Sequence, residues 1–148
     1  MTSNLDKTMH DWMSLIMRNS LGNFMRFAKE KNFSMPQLSI LIHLSQEEEC
    51  NVTGLGTEFG VTNAAISQLL EKMVQQGLVH RREDPQDRRN KVLELTEEGM
   101  KIAKEGLMER YKWLSELIDQ LSVEEQNQVD SAIRLLINKA ASLDVNIP

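Results

Sequence analysis

At 148 residues, 41% hydrophobic and 26% charged, with 7 glycines and 3 prolines, the chain has apolar material for one well-cored domain or two small lobes. Its formal charge of −5 argues against a uniformly basic nucleic-acid surface, and its single cysteine excludes an intramolecular disulfide or a cysteine-built metal cluster. No apolar run approaches the roughly eighteen residues of a membrane span, and Asp6, Lys7 and Asp11 charge the first dozen positions, so a cytoplasmic protein is expected.

Periodicity predicts helices almost throughout and one short strand pair. Residues 5–28 place Leu5, Met9, Trp12, Met13, Ile16, Met17, Leu21, Phe24, Phe27 and Ala28 on one wide apolar stripe. A second helix opens at Ser34, with Pro36 in its first turn and Gln37 completing a capping box; Leu38, Leu41, Ile42 and Ser45 line one face, and the helix ends in the acidic run 46–49. Thr53 caps a short helix carrying Leu55 and Phe59, which Gly60 stops. Thr62 then caps a longer helix through Gln76 that buries Ile66, Leu69, Leu70 and Met73. Gly77 ends it, and Leu78–Glu83 and Asn90–Leu95 read as strands joined by a loop containing Pro85. Thr96, followed by Glu97 and Glu98, starts a long helix whose face runs from Met100 to Leu121. Ser122 and Glu125 form a capping box for a last helix through Ala141.

The expected fold is therefore mainly α with a small β-hairpin: a winged helix-turn-helix lobe over 34–96, and a helical region over 1–33 and 97–148. The apolar faces at the two ends of the chain exceed what a three-helix lobe and a hairpin can cover. Paired across two chains they would form an intertwined homodimer with a shared helical core; an intramolecular three-helix bundle would instead leave the middle lobe on a stalk.

Charge is distributed unevenly. Residues 1–61 hold 5 Lys/Arg against 7 Asp/Glu, residues 62–92 hold 6 against 4, and residues 93–148 hold 6 against 11, so the middle alone is positive. The helix from Thr62 shows Asn63, Ala64, Ser67 and Gln68 opposite its apolar side, with Lys72 one turn further. Small residues permit close approach to DNA, amides and hydroxyls bond base edges, and a helix amino terminus suits a phosphate. A merely polar face would show the same letters. The following hairpin adds the second element: Asp87, Arg88, Arg89, Asn90 and Lys91 at its tip and second strand project cations toward phosphates or a narrow minor groove.

Several stretches carry a resemblance in series: Pro36-Gln37-Leu38 with Leu41, Val61-Thr62 opening a helix that closes as Gly77-Leu78-Val79, Asp84-Pro85-Gln86-Asp87-Arg88-Arg89, and Leu95-Thr96-Glu97-Glu98-Gly99. Over roughly residues 10–141 the chain resembles the multiple-antibiotic-resistance regulator (MarR) family. The resemblance implies a dimeric transcription regulator, often a repressor, that binds a pseudo-palindromic double-stranded DNA operator. It also implies that Arg89 enters the minor groove steadied by Asp87, that 62–76 is the recognition helix, and that a pocket takes a small aromatic or phenolic effector. Asn90 departs from the small or apolar residue frequent in relatives, and Ala64 and Ala65 leave the helix start plain. For the pocket, Trp12, Met13, Ile16 and Met17, helped by Tyr111 or Trp113, are the candidate lining.

Other features weigh less. The run 54–60 has GxGxxxG spacing with no preceding strand, so its glycines read as close-packing positions and not as a nucleotide loop. Cys50 follows three glutamates between two helices and reads as an ordinary loop thiol. His10, His43 and His80 fall in separate elements with no metal spacing; His43 is expected to pack on its helix and His80 to face phosphate. No metal, no cofactor and no enzymatic constellation is expected. The alternative to a DNA-binding regulator is a winged-helix module that uses the same hairpin against a protein partner.

Overall fold

A computed structural model describes residues 4–46, 50–51, 55–56, 59–83 and 91–143, and of Cys50, Asn51, Glu83 and Lys91 the backbone alone. They form two compact units, a first running to Tyr111 and a second from Lys112. In the first, helix α1 spans Asn4–Glu30 and closes where Asn32 turns left-handed, at φ 58°, so that the amides of Asn32 and Phe33 reach back to the carbonyls of Lys29 and Ala28. Helix α2, Met35–Gln46, begins with the expected capping box: the Ser34 amide donates to Gln37 Oε1 at 2.9 Å, and the Gln37 amide donates to Ser34 Oγ at 3.3 Å.

The expected one-sided face of α2 is too narrow. Gln37, Leu38, Ile40, Leu41, Ile42 and Leu44 are all buried, so the helix is enclosed around most of its circumference. Gln37 is accommodated at 1% exposure because its amide nitrogen donates to Gln76 Oε1 at 2.8 Å while its oxygen serves the cap. Leu55 is buried in the short helical turn that follows, and Gly60 has φ 62°. The proposed cap Thr53 and the acidic residues 47–49 lie outside the described residues.

Helix α3 is Asn63–Gln75, capped by Thr62 Oγ1 accepting from the Ala65 amide at 3.2 Å. Ile66, Leu70 and Met73 are buried and Leu69 is half-buried, as the stripe requires. Gly77, at φ 71°, releases the chain into strand β2, Val79–Glu83, with the amides of Gly77 and Leu78 bonded to the carbonyls of Val74 and Met73. Strand β3, Lys91–Leu95, pairs antiparallel with β2 in a register that sets His80 opposite Glu94 and Arg82 opposite Val92.

The sheet has three strands, not two: Cys50–Asn51 forms strand β1 on the other edge of β3, pairing with Leu93 and Val92. Cys50 is thus backbone strand, not loop, and β3 becomes the central strand, with Val92 and Leu93 buried. A two-residue strand is too short to show alternation, and its partner lies some forty residues on, so local pattern could not reveal it.

Helix α4, Glu97–Ile118, starts at Thr96, whose hydroxyl accepts from the Gly99 amide at 3.0 Å and donates to the Gly77 carbonyl at 2.7 Å. Within the first unit its buried residues, Gly99, Ile102, Ala103 and Gly106, close the core built from α2, α3 and the sheet; the aromatic rings of Phe24 and Phe27 on α1 lie over Gly106. In the second unit, α4 stops at Ile118, short of Leu121, and the turn between carries the capping box of Ser122 and Glu125 that starts helix α5, Val123–Ala141. Gln126 ties that turn by donating to the carbonyls of Ile118 and Leu121.

Two apolar surfaces stay uncovered. On α1 only Ser20, Phe24, Phe27 and Ala28 are buried, leaving Leu5, Met9, Met13 and Met17 exposed. No residue of α5 is buried within the chain, and Val129, Ile133, Leu136 and Ile137 face outward.

Candidate nucleic-acid interface

The first face of α3 emerges from the sequence directly. Because Ile66, Leu70 and Met73 point inward, the opposite side must present Thr62, Asn63, Ala64, Ser67, Gln68 and Lys72, and all six are exposed. Their roles are not equivalent. The Asn63 amide oxygen folds back against the buried Gly56, where a Cβ would overlap it, so Gly56 gives the close packing expected of the 54–60 run; Gly60 does not, since a Cβ there would meet open space and its glycine serves the positive φ. Gln68 and Lys72 stand one turn apart and share a wall of a cleft of about 620 Å³ between α3 and the first turn of α2, where Met35, Pro36 and Ser39 form the other side.

The hairpin stem is the second component. Its tip residues Asp87, Arg88, Arg89 and Asn90, and the Lys91 side chain, lie outside the described residues, so the structure describes the stem that carries them. β2 follows α3 after the single turn at Gly77, and Arg81 Nη1 lies 3.4 Å from Glu71 Oε2 on α3, so helix and stem are joined both covalently and by an ion pair. On the outer face, His80 Nε2 is 2.8 Å from Glu94 Oε2, and Arg82 Nε donates to Glu94 Oε1 at 2.7 Å. These bonds, that from His80 first and that from Arg82 second, hold the Glu94 carboxyl below the usual carboxylate range. His80 is thus engaged by a carboxylate of its own hairpin. The sequence reading missed both Glu94 and Arg82: the period-two spacing of His80 and Arg82 puts them on one face of a strand, but only the register shows that Glu94 lies across from them.

His43 is half-buried and meets the Phe59 ring edge-on at 6.0 Å, as packing on its helix predicts. The residues expected around an effector are divided. Ile16 and Met17 line a cavity of about 250 Å³ with Ser20, Phe24, Met35, Ser39 and Arg110, whereas Trp12, Met13 and Tyr111 do not line it and are 37%, 56% and 47% exposed. Trp113 belongs to the second unit. The sequence reading missed Arg110, a cation on an otherwise apolar helix face. Its Nε donates to Ser20 Oγ at 3.2 Å, and its guanidinium lies over the rings of Phe24 and Tyr111.

A helix, a tight turn, a second helix with a small polar exposed face, and an antiparallel hairpin joined to it define a winged helix-turn-helix protein. Residues 33–91 match the model of the MarR family. Among curated relatives, the HTH-type transcriptional regulator YfiV of Bacillus subtilis (strain 168) is 29% identical over 126 residues, 84% of this chain and 78% of that protein. Among solved structures, the multiple antibiotic-resistance repressor of Listeria monocytogenes 4b F2365 superposes with a TM-score of 0.77 at 17% identity, covering 95% of this chain and 97% of the other. A mutant of S. aureus MepR bound to an oligodeoxyribonucleotide gives a TM-score of 0.66 at 20% identity, covering 88% and 96%. At these identities the structural matches establish the fold. Among the described residues no helix is long and apolar enough to cross a membrane.

Proposed function

We propose that this protein is a DNA-binding transcription regulator of MarR type that acts as a homodimer on a pseudo-palindromic operator, represses from it, and is released by a small effector. The observation that carries the reading is the exposed start of α3, small and amide-bearing at Ala64, Ser67 and Gln68, followed through the turn at Gly77 by the stem strands between which the sequence holds Arg88 and Arg89. In it α3 enters the major groove, with Thr62 and Asn63 at the phosphate end and Lys72 on the backbone. Asp87, Arg88, Arg89, Asn90 and Lys91 then serve the flanking minor groove, Asp87 steadying Arg89.

The uncovered apolar surfaces of α1 and α5 support a dimer in which residues 1–33 and 97–148 form the shared helical region and 34–96 reads DNA. Two recognition helices would then meet successive major grooves about 34 Å apart. The cavity beside Ile16 and Met17 supports an effector of one small ring: an apolar cavity of roughly 150 Å³ already accepts benzene, and Arg110 offers a cation to a phenolate at its edge. Met35 and Ser39 line both this cavity and the cleft against α3, so an occupant that moves the first turn of α2 also moves a wall next to Gln68 and Lys72.

The test is DNA binding by the whole chain, using the segment upstream of its own coding region against random duplex, with a protein pull-down in parallel. If about eight phosphates are neutralised, log K falls with log salt at a slope of about −7. Arg89→Ala weakens binding on all sequences, whereas Gln68→Ala relaxes preference at one base pair by about 1–3 kcal/mol. Tight binding that ignores salt overturns the reading, and capture of a specific protein with no DNA bound favours the interaction module instead.

A further inference from the structure

The outer face of the hairpin stem holds a cluster with no part in the reading above. His80 and Arg82 stand two residues apart on β2 and therefore project from one face, while Val79 is buried and Arg81 turns to Glu71 on the other. Glu94 sits opposite His80 and diagonal to Arg82, and its two oxygens are divided between them, at 2.8 and 2.7 Å. The side chains of His80, Arg82 and Glu94 are 53%, 50% and 35% exposed, so another anion can reach the same donors.

We propose that Glu94 is an internal stand-in for a DNA phosphate: it occupies Arg82 and His80 on the wing stem and so sets the protein's affinity for DNA below what those groups would otherwise give. The inference rests on the DNA-binding reading. Arg82 precedes the hairpin tip by two residues, roughly 7 Å along a strand, and its own side chain extends that reach toward phosphates flanking the groove the tip enters. There two anions compete for one guanidinium. Glu94 is tethered a few ångströms away by the register of the sheet, whereas a phosphate must be brought in with the duplex. A guanidinium already neutralised by Glu94 displaces no counterion from DNA, and the carboxylate repels the phosphates around it. A purely structural role for Glu94 makes the opposite prediction, because losing its bonds would loosen the hairpin and weaken DNA binding.

The experiment compares the full chain with Glu94→Gln, which keeps shape and hydrogen-bonding capacity but loses the charge, on operator and random duplex across a salt series. One further phosphate contact per protomer, two per dimer, steepens the slope by about 1.8, equivalent to about sixtyfold tighter binding near 0.1 M salt. That gain should be the same on both sequences and vanish in Glu94→Gln/Arg82→Gln. In the parent background, Arg82→Gln alone should change affinity by less than about threefold, because its guanidinium is already taken. Glu94→Gln that binds no tighter than the parent, or Arg82→Gln that alone costs tenfold, overturns the inference and leaves the DNA-binding reading standing. A parent chain without salt-dependent DNA binding removes that reading and this inference together.

Discussion

Gly99→Ala and Gly22→Ala are the same substitution with opposite expected signs. Gly99 is buried in the first turn of α4, and a Cβ there would overlap the Leu78 carbonyl oxygen and crowd the Leu95 side chain. That carbonyl accepts from the Thr96 amide at 3.1 Å, so moving it breaks the junction between the stem and α4. One hydrogen bond at about 1 kcal/mol, with about 1–3 kcal/mol for overpacking, puts the cost near 3 kcal/mol. For a chain of this length each kcal/mol moves Tm by roughly 2–4 °C, so Gly99→Ala should melt about 6–12 °C below the parent. Gly22 lies exposed in α1 with nothing within 4 Å of the position a Cβ would take. Alanine there removes a helix-interior glycine and should stabilise by about 0.5–1 kcal/mol. Both are read by thermal melts followed by circular dichroism at one protein concentration. An unchanged Tm for Gly99→Ala would refute the close-approach argument, and a loss for Gly22→Ala would show that the space beside it is occupied in solution.

Two further outcomes follow from the same geometry. Leu136 on α5 is 46% exposed, and covering it in a two-fold interface removes that surface twice; Leu136→Asp should weaken the dimer at least about tenfold in sedimentation, and an unchanged association state would take α5 out of the interface. The Lys31–Glu105 pair at 2.8 Å lowers the Glu105 carboxyl, through the lysine's hydrogen bond first and its charge second, and raises Lys31 through the same contacts. A depressed carboxyl stabilises above its unfolded pKa, so this contribution is present at neutral pH and fades as pH falls below about 4.3 through the folded value. The raised lysine stabilises below its unfolded pKa, and its share fades only as pH rises past about 10.4 through the folded one. Glu105→Gln should therefore be less stable than the parent at pH 7 in urea melts and equal to it in strong acid; a gap that persists in acid would refute the assignment.

What the sequence made legible is chemistry that closes within a few residues. The caps at Ser34, Thr62, Thr96 and Ser122 are each satisfied three residues on, and Gly77 ends α3 by the backbone conformation that glycine alone adopts cheaply. The contacts it hid are those whose partners lie far along the chain. Gln37 meets Gln76, Arg110 meets Ser20, and β1 meets β3, each set by packing rather than by local preference. Gly106 left a faint trace, as a poor helix former inside a long helix, because the rings of Phe24 and Phe27 occupy the space a side chain would fill. In the candidate interface the polar face of α3 was readable because it is the complement of a core stripe. The Glu94 cluster was not, since alternation on a strand tells which face a residue takes but not which charges meet there.

The distribution of charge bears on how so acidic a chain could hold DNA. A net charge of −5 acts on a duplex over the Debye length, about 10 Å at 0.1 M salt, whereas a guanidinium on a phosphate acts at contact. Lowering the salt therefore strengthens both the attraction at the contacts and the repulsion of the body, and the measured slope reports their difference. The 62–92 segment has a cation surplus of two before its internal pairs are considered, but on the described stem Arg81 already faces Glu71, and Arg82 and His80 already face Glu94. Phosphate binding is then left mainly to Lys72 and to the tip residues Arg88 and Arg89 with Lys91 behind them. Few residues contribute to the slope, and each charge substitution among them should change it by close to one contact per protomer, two per dimer.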